Sequence, residues 1–264
     1  MALRRDSLDL SIAKLSGKDP KAITSAGCTI ARAFSADPLV HWLRLDTPSW
    51  SELRPDTLAF QAWRMRVAML GGRVYYTDNI GSLQCQLLQR SPRDYMRTMG
   101  PTLGHLLGNP GGVAILHPSD RKKRKWLSYY LGFFSLLKEY RRNPLPTTTP
   151  LQDRRWDTSS RVHEESLRLV RGILPRRQKF WYIEVLAIDP LLQRQGMGRR
   201  MMVEIIRLTG DEPLVLECTW KENINFYMAL GFEVIETVTL TDTVCDCVDA
   251  ARYWVMLRNS GKGI

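Results

Sequence analysis

The sequence predicts a mixed α/β fold, and three observations predict it. Segments in which apolar and polar side chains alternate come first, last and at intervals along the chain, which is typical of half-buried strands. Between them lie segments with apolar residues three or four positions apart, often preceded by a cap residue or proline, which is typical of helices. At residues 181–208 a strand pattern passes through a glycine turn directly into a helix pattern. Because no internal repeat is present, we expect one α/β domain over residues 1–264.

Alternation, together with β-branched and aromatic content, predicts the strands. They cover residues 8–16, 73–79, 111–120, 181–190, 213–219, 232–240 and 252–258. Proline lacks the amide donor that a central strand needs, so Pro118 and Pro190 mark strand exits.

Cap residues and glycines set the predicted helix bounds. The helices cover residues 19–38, 51–70, 122–142, 158–174, 196–208 and 222–231. Asp19 before Pro20 is an N-cap followed by proline in the first turn, and Ser160 is the candidate cap of the fourth helix, which would place Glu164 and Glu165 in its first turn. Residues 79–110 are weakly patterned and are predicted to be an elaborated connection, and residues 143–153 a surface loop.

Composition excludes several classes of protein. The chain has 264 residues and a net charge of +11, which favours anionic partners such as nucleic acid, acidic membranes or a polyphosphorylated cofactor. No signal-peptide pattern opens the chain, and the apolar run at residues 126–137 is too short to span a bilayer. The basic run at residues 121–125 lacks the glycine and aromatic pattern of an RNA-binding strand, so we expect a solvated helix start and no nucleic-acid partner.

Cysteine and histidine usage predicts neither a disulfide scaffold nor a metal site. The five cysteines are odd in number and scattered, which fits a reducing, cytoplasmic location. Cys245 and Cys247 are followed by no second pair at a zinc spacing, so we expect no metal. The four histidines are dispersed and are interpreted as structural.

The most informative segment is LLQRQGMGRRMM, residues 191–202. A strand, a turn with Gly196 and Gly198, and then a helix would aim free backbone N–H groups and a positive helix end at an anion. The spacing matches neither the dinucleotide fingerprint nor the nucleoside-triphosphate loop. Taken alone, it is equally compatible with a glycine-started helix packed tightly on its strand.

A second motif further along the chain decides between these alternatives. The turn resembles the Gln/Arg-x-x-Gly-x-Gly/Ala motif of the GCN5-related N-acetyltransferase superfamily, here Gln193 to Gly198. That family also has a helix with a tyrosine ahead of Gly-Phe, and NINFYMALGFEVI supplies Asn223, Tyr227 and Gly231-Phe232. The resemblance covers residues 181–258 well, and upstream segments are similar to fungal, small-molecule members.

The resemblance implies a fold and a cofactor. The fold is a central, mixed, mostly antiparallel twisted sheet of about seven strands, with splayed central strands and flanking helices. The cofactor is acetyl-coenzyme A, bound by the core at residues 181–258, with the pantetheine arm on the fourth strand, the pyrophosphate on the turn and one backbone N–H near Leu186 facing the thioester oxygen. The implied cofactor-binding residues are Leu186, Ala187, Ile188, Gln193, Arg194, Gln195, Gly196, Met197, Gly198, Arg199 and Asn223.

The resemblance also implies catalytic positions on this strand and helix. Glu184 is the candidate general base, because two-residue spacing puts it on one strand face with Leu186 and Ile188, and Tyr182 shares that face. A glutamate in an apolar strand is alternatively a paired structural charge. Tyr227 is the candidate proton donor to the departing thiolate, with a core tyrosine packed beside Phe226 as the alternative.

The predicted function is acetyl-coenzyme A dependent N-acetylation of a small, rather apolar amine by direct attack. An alkylamine of pKa about 10 is only about one part in a thousand neutral at pH 7, so a base must help. Two alternatives stay open, namely acetylation of a protein lysine or N-terminus, and a fold retained as a binding module with catalysis lost. The sequence predicts no oligomeric state.

Overall fold

A computed structural model describes most of the chain, namely residues 12–15, 19–44, 55–71, 73–77, 111–119, 141, 148–210, 212–244 and 247–261. The strands are β1 (Ile12–Lys14), β2 (Arg73–Thr77), β3 (Gly112–Pro118), β4 (Trp181–Ile188), β5 (Leu214–Cys218), β6 (Glu233–Val244) and β7 (Cys247–Arg258). The helices are α1 (Pro20–Ala33), α2 (Pro38–Arg44), α3 (Pro55–Gly71), α4 (Pro150–Ile173), α5 (Met197–Thr209) and α6 (Ile224–Met228).

The strands form one seven-stranded sheet in the order β1-β2-β3-β4-β5-β7-β6. Each neighbouring pair is antiparallel except β4 and β5, which are parallel. The predicted mixed, mostly antiparallel sheet flanked by helices is therefore confirmed.

The two central strands separate soon after they meet. Trp181 to Ile183 of β4 pair with Leu214 to Leu216 of β5, and no pair follows, although β4 continues to Ile188. Beyond Ile183 the β5 side of β4 has no strand partner among the described residues. This is the predicted splay, and it leaves an open edge at the centre of the sheet.

A β-bulge lies where the splay begins. On the other edge of β4, Ile115 pairs with Val185 and Leu116 pairs with Ile183, so Glu184 is the extra residue of the bulge. A bulge reverses the alternation of side chains between the two faces of a sheet. Trp181 and Ile183 face one side before the bulge, and Leu186 and Ile188 take that side after it.

Hydrophobic clusters cover both faces of the sheet. One cluster packs α5 and α6 against the strands, with α5 contributing the buried side chains of Met197, Met201 and Ile205. The opposite face carries two clusters, one with α1 and α3 over β2 to β4, and one with α2 and α4 over β5, β7 and β6. The splayed edge therefore lies between helices on both faces.

A buried ion pair fixes the end of β4 to α1. Arg32 Nε lies 2.9 Å from Asp189 Oδ2, and Arg32 Nη2 lies 3.1 Å from Asp189 Oδ1. The two side chains are 1% and 2% exposed. The two-point contact matches the planar guanidinium to the carboxylate. It holds the residue directly after β4 at the point where the chain turns toward α5.

Helix starts were predicted with mixed success. The Asp19 side chain accepts from the backbone N–H groups of Lys21 and Ala22, so the predicted cap of α1 is confirmed. The prediction that Ser160 starts a helix is wrong, because α4 begins at Pro150 with a capping box formed by Thr149 and Gln152. The end of the proline-rich segment that was predicted to be a loop, residues 143–153, is the start of this helix. Glu164 and Glu165 therefore lie in the middle of α4 and not in its first turn.

Other predicted bounds shift for local reasons. The first predicted helix, 19–38, ends earlier, at Ala33, and a short helix that was not predicted, α2, begins at Pro38 after a turn. Strands β6 and β7 extend beyond the predicted segments because backbone pairing continues through polar residues, such as Asp242 opposite Asp249. The predicted connection at 79–110 and the predicted helix at 122–142 lie outside the described residues, except for Arg141, which is helical. Among the helices that the structure describes, none is long and apolar enough to cross a membrane.

We expect Asp189→Asn to lower the free energy of unfolding by roughly 3–5 kcal/mol, because it leaves the buried Arg32 charge without its counter-charge. Urea denaturation followed by circular dichroism measures the change. The control is Glu164→Gln, which breaks the exposed pair with Arg168 (68% and 69% exposed) and should cost no more than about 1 kcal/mol. Equal losses in the two variants would contradict a structural role for the buried pair.

Candidate active site

The open edge of β4 presents specific backbone groups. Asp189 N–H donates to Gly111 O of the β3 side at 2.8 Å. Because backbone groups alternate along an antiparallel pair, Ala187 and Val185 also point toward β3, whereas Leu186 and Ile188 point away from it. Of the three strand residues predicted to hold a pantetheine arm, Leu186 and Ile188 therefore face the open edge and Ala187 does not.

The turn after β4 continues this edge. Gln193 Nε2 donates to Ile188 O at 3.0 Å, so this predicted ligand-binding side chain closes the strand end instead of reaching outward. Gly196 is the N-cap of α5 with φ of +80° and makes no side-chain cap, and Arg194 also has a positive φ of 60°. Because glycine has no side chain, residue 196 does not cap the first N–H groups of α5.

The two glycines serve different purposes. A Cβ on Gly196 would meet nothing within 4 Å, so this residue is needed for its left-handed backbone conformation. A Cβ on Gly198 would lie 3.5 Å from Phe226 Cζ and 3.8 Å from Ile188 Cγ1. Both distances are ordinary van der Waals contacts, so Gly198 marks the place where α6 and the end of β4 pack against the start of α5, and the structure brings the two sequence motifs together.

Other residues of the turn divide between core and solvent. Met197 is buried in the α5 cluster, whereas Arg194, Gln195 and Arg199 are exposed. The two arginines give the turn positive charge beside the start of α5, where the helix dipole adds to it. Asn223 is exposed at the end of a 3₁₀ turn (Lys221–Asn223) and its side chain makes no cap hydrogen bond to α6.

Tyr227 packs against the α5 cluster, next to Phe226, which lies against Gly198 of the turn. Its ring makes edge contacts with Phe226 at 4.9 Å and Phe232 at 5.8 Å between centroids. Burial, and then the proximity of Cys218 and Asp37, raises the pKa of the Tyr227 hydroxyl above its usual range. Tyr227 therefore stays protonated throughout the neutral pH range.

Cys218 is a buried thiol at the end of β5. Its Sγ donates to Trp220 O at 3.0 Å. Burial is the largest cause that raises the pKa of Cys218 to about 11, and the negative charges of Asp37 and Glu222 add to it. The thiol is therefore a poor nucleophile at neutral pH.

Glu184 is a paired charge on the opposite face. Its Oε1 lies 2.6 Å from Arg64 Nε of α3, and its Oε2 lies 2.5 Å from His117 Nε2 of β3. Burial alone would raise the pKa of Glu184, but the Arg64 charge and the His117 hydrogen bond outweigh it and lower the pKa to about 2. The prediction that Glu184 shares a face with Leu186 and Ile188 is wrong, because the bulge at Glu184 reverses the alternation.

A second carboxylate and histidine pair lies on the same face. Glu217 Oε1 lies 2.9 Å from His163 Nδ1 of α4, and Glu217 Oε2 accepts from the Tyr182 hydroxyl at 2.9 Å. The Tyr182 ring centroid lies 4.9 Å from that of His163, with the rings tilted, and 6.3 Å from that of His117, with the rings stacked. Burial alone would lower the pKa of His163, but the hydrogen bond and charge of Glu217 raise it.

The sequence reasoning missed both histidines of this face. His117 and His163 are far from each other and from Glu184 and Glu217 in the chain, so no local spacing could pair them. Of the dispersed histidines, these two were interpreted as structural, yet each bonds a glutamate beside the splay. Within the described part of the chain, no group of three or more potential metal ligands is present.

Comparison with known proteins identifies the fold. No protein-family profile matches the sequence, and no curated protein matches it. Among solved structures, arylalkylamine N-acetyltransferase 2 from Aedes aegypti superposes with a TM-score of 0.54 at 13% identity, over 95% of this chain and 99% of that chain. Mosquito arylalkylamine N-acetyltransferase-like 5b gives 0.51 at 11% identity, over 95% and 99% of the two chains.

A third structure gives the same result. The polyamine N-acetyltransferase of Drosophila melanogaster, which forms N-acetylagmatine, superposes with a TM-score of 0.50 at 13% identity, over 95% of this chain and 100% of that chain. At these identities the likeness is one of fold. The chain therefore has the fold of the GCN5-related N-acetyltransferases, and the resemblance to fungal members stays a prediction.

We expect native Cys218 to resist alkylation. A thiol of pKa about 11 is only about 0.1% thiolate at pH 8, and burial hinders access further. Iodoacetamide treatment at pH 8 followed by peptide mass spectrometry measures modification at this position, and the urea-denatured chain is the positive control. Alkylation of the native chain as fast as the denatured one would contradict the buried thiol.

Proposed function

We propose that this protein is an acetyl-coenzyme A dependent N-acetyltransferase that acts on a small primary amine. One observation carries the proposal: the free edge of β4, with Leu186 and Ile188 directed outward, runs into the open N-terminus of α5 with Tyr227 beside it. The fold shared with N-acetyltransferases supports this assignment. The cytoplasm, where acetyl-coenzyme A and soluble amines meet, is the proposed location.

The residues present fit the cofactor. A pantetheine arm carries amide groups in an extended chain, and the outward N–H and C=O groups of Leu186, together with the N–H of Ile188, can pair with such a chain as a strand would. The pyrophosphate fits the first N–H groups of α5, with positive charge from Arg194 and Arg199. Asn223 is exposed and precedes Tyr227 by one helical turn. We propose that it donates to the pantetheine arm.

Bound acetyl-coenzyme A would supply an activated acetyl thioester. The outward N–H of Leu186 is positioned on the edge where the thioester oxygen would lie, so it can stabilise negative charge that develops there. Because this donor belongs to a sheet fixed by β3, it needs little reorganisation during the reaction.

Tyr227 is the proposed proton donor to the leaving thiolate. Its raised pKa keeps the phenol protonated at neutral pH. A thiol of ordinary pKa about 8.5 would hold a proton less strongly than this phenol in water. The apolar surroundings that raise the pKa of Tyr227 would also raise the pKa of a thiol beside it, so the difference between the two stays near the roughly 1.5 units found in water and the transfer costs about 2 kcal/mol, a small part of a reaction barrier.

Transfer is proposed to be direct, in a ternary complex. The alternative, an acetylated cysteine, would need a thiolate near the thioester. Cys218 lies near Tyr227, but burial, with the negative charges of Asp37 and Glu222, raises its pKa to about 11 and keeps the thiol protonated. Tyr227 is thus available as a proton donor beside Cys218, and no activated thiol is present among the described residues.

The acceptor is proposed to be a small and rather apolar amine. The solved structures that share the fold are named for arylalkylamines and polyamines, which supports a small amine over a peptide. Glu184 acts as a positioning residue in this proposal, because its charge is already neutralised by Arg64 and it holds His117. Acetylation of a protein and loss of catalysis are the outcomes that the following experiments would distinguish.

We expect the chain to bind acetyl-coenzyme A in isothermal titration calorimetry and to release coenzyme A thiol with a primary amine. A panel of 2-phenylethylamine, tryptamine, agmatine and a lysine-containing peptide identifies the acceptor class, with a thiol reagent as readout.

Tyr227→Phe should lower kcat by about a hundredfold while changing the cofactor Kd less than threefold, since a proton donor acts in the transition state. Binding without turnover on every acceptor would favour a binding module, and no binding would refute the proposal.

We expect Gly196→Val to weaken acetyl-coenzyme A binding at least tenfold. Valine is strained at φ of +80°, so the turn must shift and carry the N–H groups of α5 with it. Gly172→Val is the matched control, because a Cβ at Gly172 of α4 also meets nothing within 4 Å but its φ is not positive. Calorimetry with acetyl-coenzyme A measures both, and equal affinities would show that the turn does not hold the phosphates.

A further inference from the structure

Two carboxylates flank the point where β4 and β5 separate. Ile183 and Leu216 are the last paired residues of the two strands, so Glu184 and Glu217 are the first residues after the ladder ends. Both side chains lie on the face opposite α5, since Glu184 bonds to α3 and Glu217 bonds to α4. The apex of the splay therefore carries one carboxylate on each side.

Helices α3 and α4 stand on either side of this apex. Arg64 of α3 lies over Glu184, and His163 of α4 lies over Glu217. Phe60 of α3 and Trp156 of α4 meet at one end, with ring centroids 5.8 Å apart. The two helices thus flank the apex, and Tyr182 and the two carboxylates lie beneath them.

We propose that His163, held by Glu217, is the general base that takes a proton from the acceptor amine, which enters between α3 and α4. This inference rests on the proposed function and adds a catalytic residue from outside the strand that the family resemblance implicated. It also predicts that the acceptor reaches the apex from the face opposite Tyr227.

The hydrogen bonds of His163 select its reactive nitrogen. Glu217 accepts from Nδ1 with one oxygen and from the Tyr182 hydroxyl with the other. A carboxylate that holds the Nδ1 proton leaves the Nε2 lone pair as the site of proton uptake, the arrangement used by carboxylate and histidine pairs in hydrolases. The His163 side chain is 32% exposed, and its bond to Glu217 uses Nδ1 and leaves Nε2 for an incoming amine.

The other candidates on this face are less suited. Glu184, with a pKa of about 2, would take a proton from an ammonium of pKa about 10 with an equilibrium constant of about 10⁻⁸. His117 bonds Glu184 through Nε2, and its Nδ1 is buried and has no hydrogen-bond partner among the described residues. A base must be both reachable and matched to the operating pH, and His163 meets both conditions.

The electrostatic surroundings of His163 support a base that works near neutral pH. Glu217 of β5, Glu184 of β4 and Glu164 of its own helix all face it with negative charge, and Tyr182 contributes a neutral hydroxyl. Together these charges raise the pKa of His163 although burial opposes them. Arg64 of α3 and His117 of β3 pair with Glu184, and Arg168 pairs with Glu164. Glu217 is therefore the carboxylate that would attract the incoming ammonium.

The proton balance closes with these two residues. The ammonium gives one proton to His163 Nε2, and the neutral nitrogen forms a bond to the acetyl carbon as the carbon–sulfur bond breaks with its electron pair on sulfur. The sulfur takes the phenolic proton of Tyr227. The remaining excess proton on the nitrogen is lost to solvent, the phenolate regains one from solvent, and His163 releases its own, so one proton is produced for each acetyl transferred.

The first test is the pH profile of kcat/KM with 2-phenylethylamine, or with the best amine of the panel. In the wild-type protein we expect a rise through the pKa of His163. His163→Gln should remove this inflection and lower kcat/KM at pH 7 by about a hundredfold or more. Glu217→Gln should move the inflection to lower pH, because removing a negative charge lowers the pKa of the histidine.

A matched control separates loss of the base from loss of any histidine. His41→Gln in α2 changes an exposed histidine and should leave the profile and kcat/KM unchanged. Cofactor Kd and thermal melting should be the same for His163→Gln, His41→Gln and the wild-type protein. His163→Asn repeats the test if the Gln variant does not fold.

The second test needs no turnover. In the full chain with ¹⁵N-labelled histidine, NMR titration should show His163 with its proton on Nδ1 when neutral and a pKa above that of an exposed histidine. Glu217→Gln should lower this pKa. A neutral tautomer with the proton on Nε2 would overturn the assignment.

The outcomes separate this inference from the proposed function. A protein that binds acetyl-coenzyme A, depends on Tyr227 and keeps the same pH inflection in His163→Gln would overturn the general base alone. A protein that acetylates no amine would overturn the proposed function and this inference with it.

Discussion

The structure depends on a parallel pairing that ends after three residue pairs. Hydrogen bonding favours continuing a ladder, so something must hold β4 and β5 apart once they have met. On β4 the bulge at Glu184 changes the direction of the backbone groups, and the Arg32 and Asp189 ion pair fixes the strand end to α1. The open edge that results leaves the outward groups of Leu186 and the N–H of Ile188 free to pair with a ligand, while the Ile188 carbonyl accepts from Gln193.

The splay also divides the candidate chemistry between the two faces of the sheet. Tyr227 lies among aromatic side chains on the face covered by α5 and α6, where burial keeps its proton in place. Glu184, Glu217 and their histidines lie on the face covered by α3 and α4. A proton donor and a proton acceptor on opposite faces do not neutralise each other, and the gap between the strands is where groups from both faces can act on one reacting bond.

The sequence predicted what depends on local order and missed what depends on long-range pairing. Seven strands, the cap at Asp19 and the strand, turn and helix around Gly196 follow from alternation, capping and glycine chemistry, which act within a few residues. The bulge at Glu184 has no composition signal, so the assumption of strict alternation put that side chain on the wrong face. The partners of Glu184 and Glu217 come from α3, β3 and α4, which only the folded chain brings together.

The distribution of charge matters more for the proposed reaction than the net value of +11. A basic chain attracts a phosphate-bearing cofactor, and the exposed Arg194 and Arg199 place positive charge where the phosphates would lie. An ammonium acceptor would be repelled by the same net charge at long range. Near the apex, however, it would meet Glu217, and salt screens charges that lie more than about 8 Å away at physiological ionic strength. One basic protein can therefore bring an anion and a cation to the two faces of the same gap.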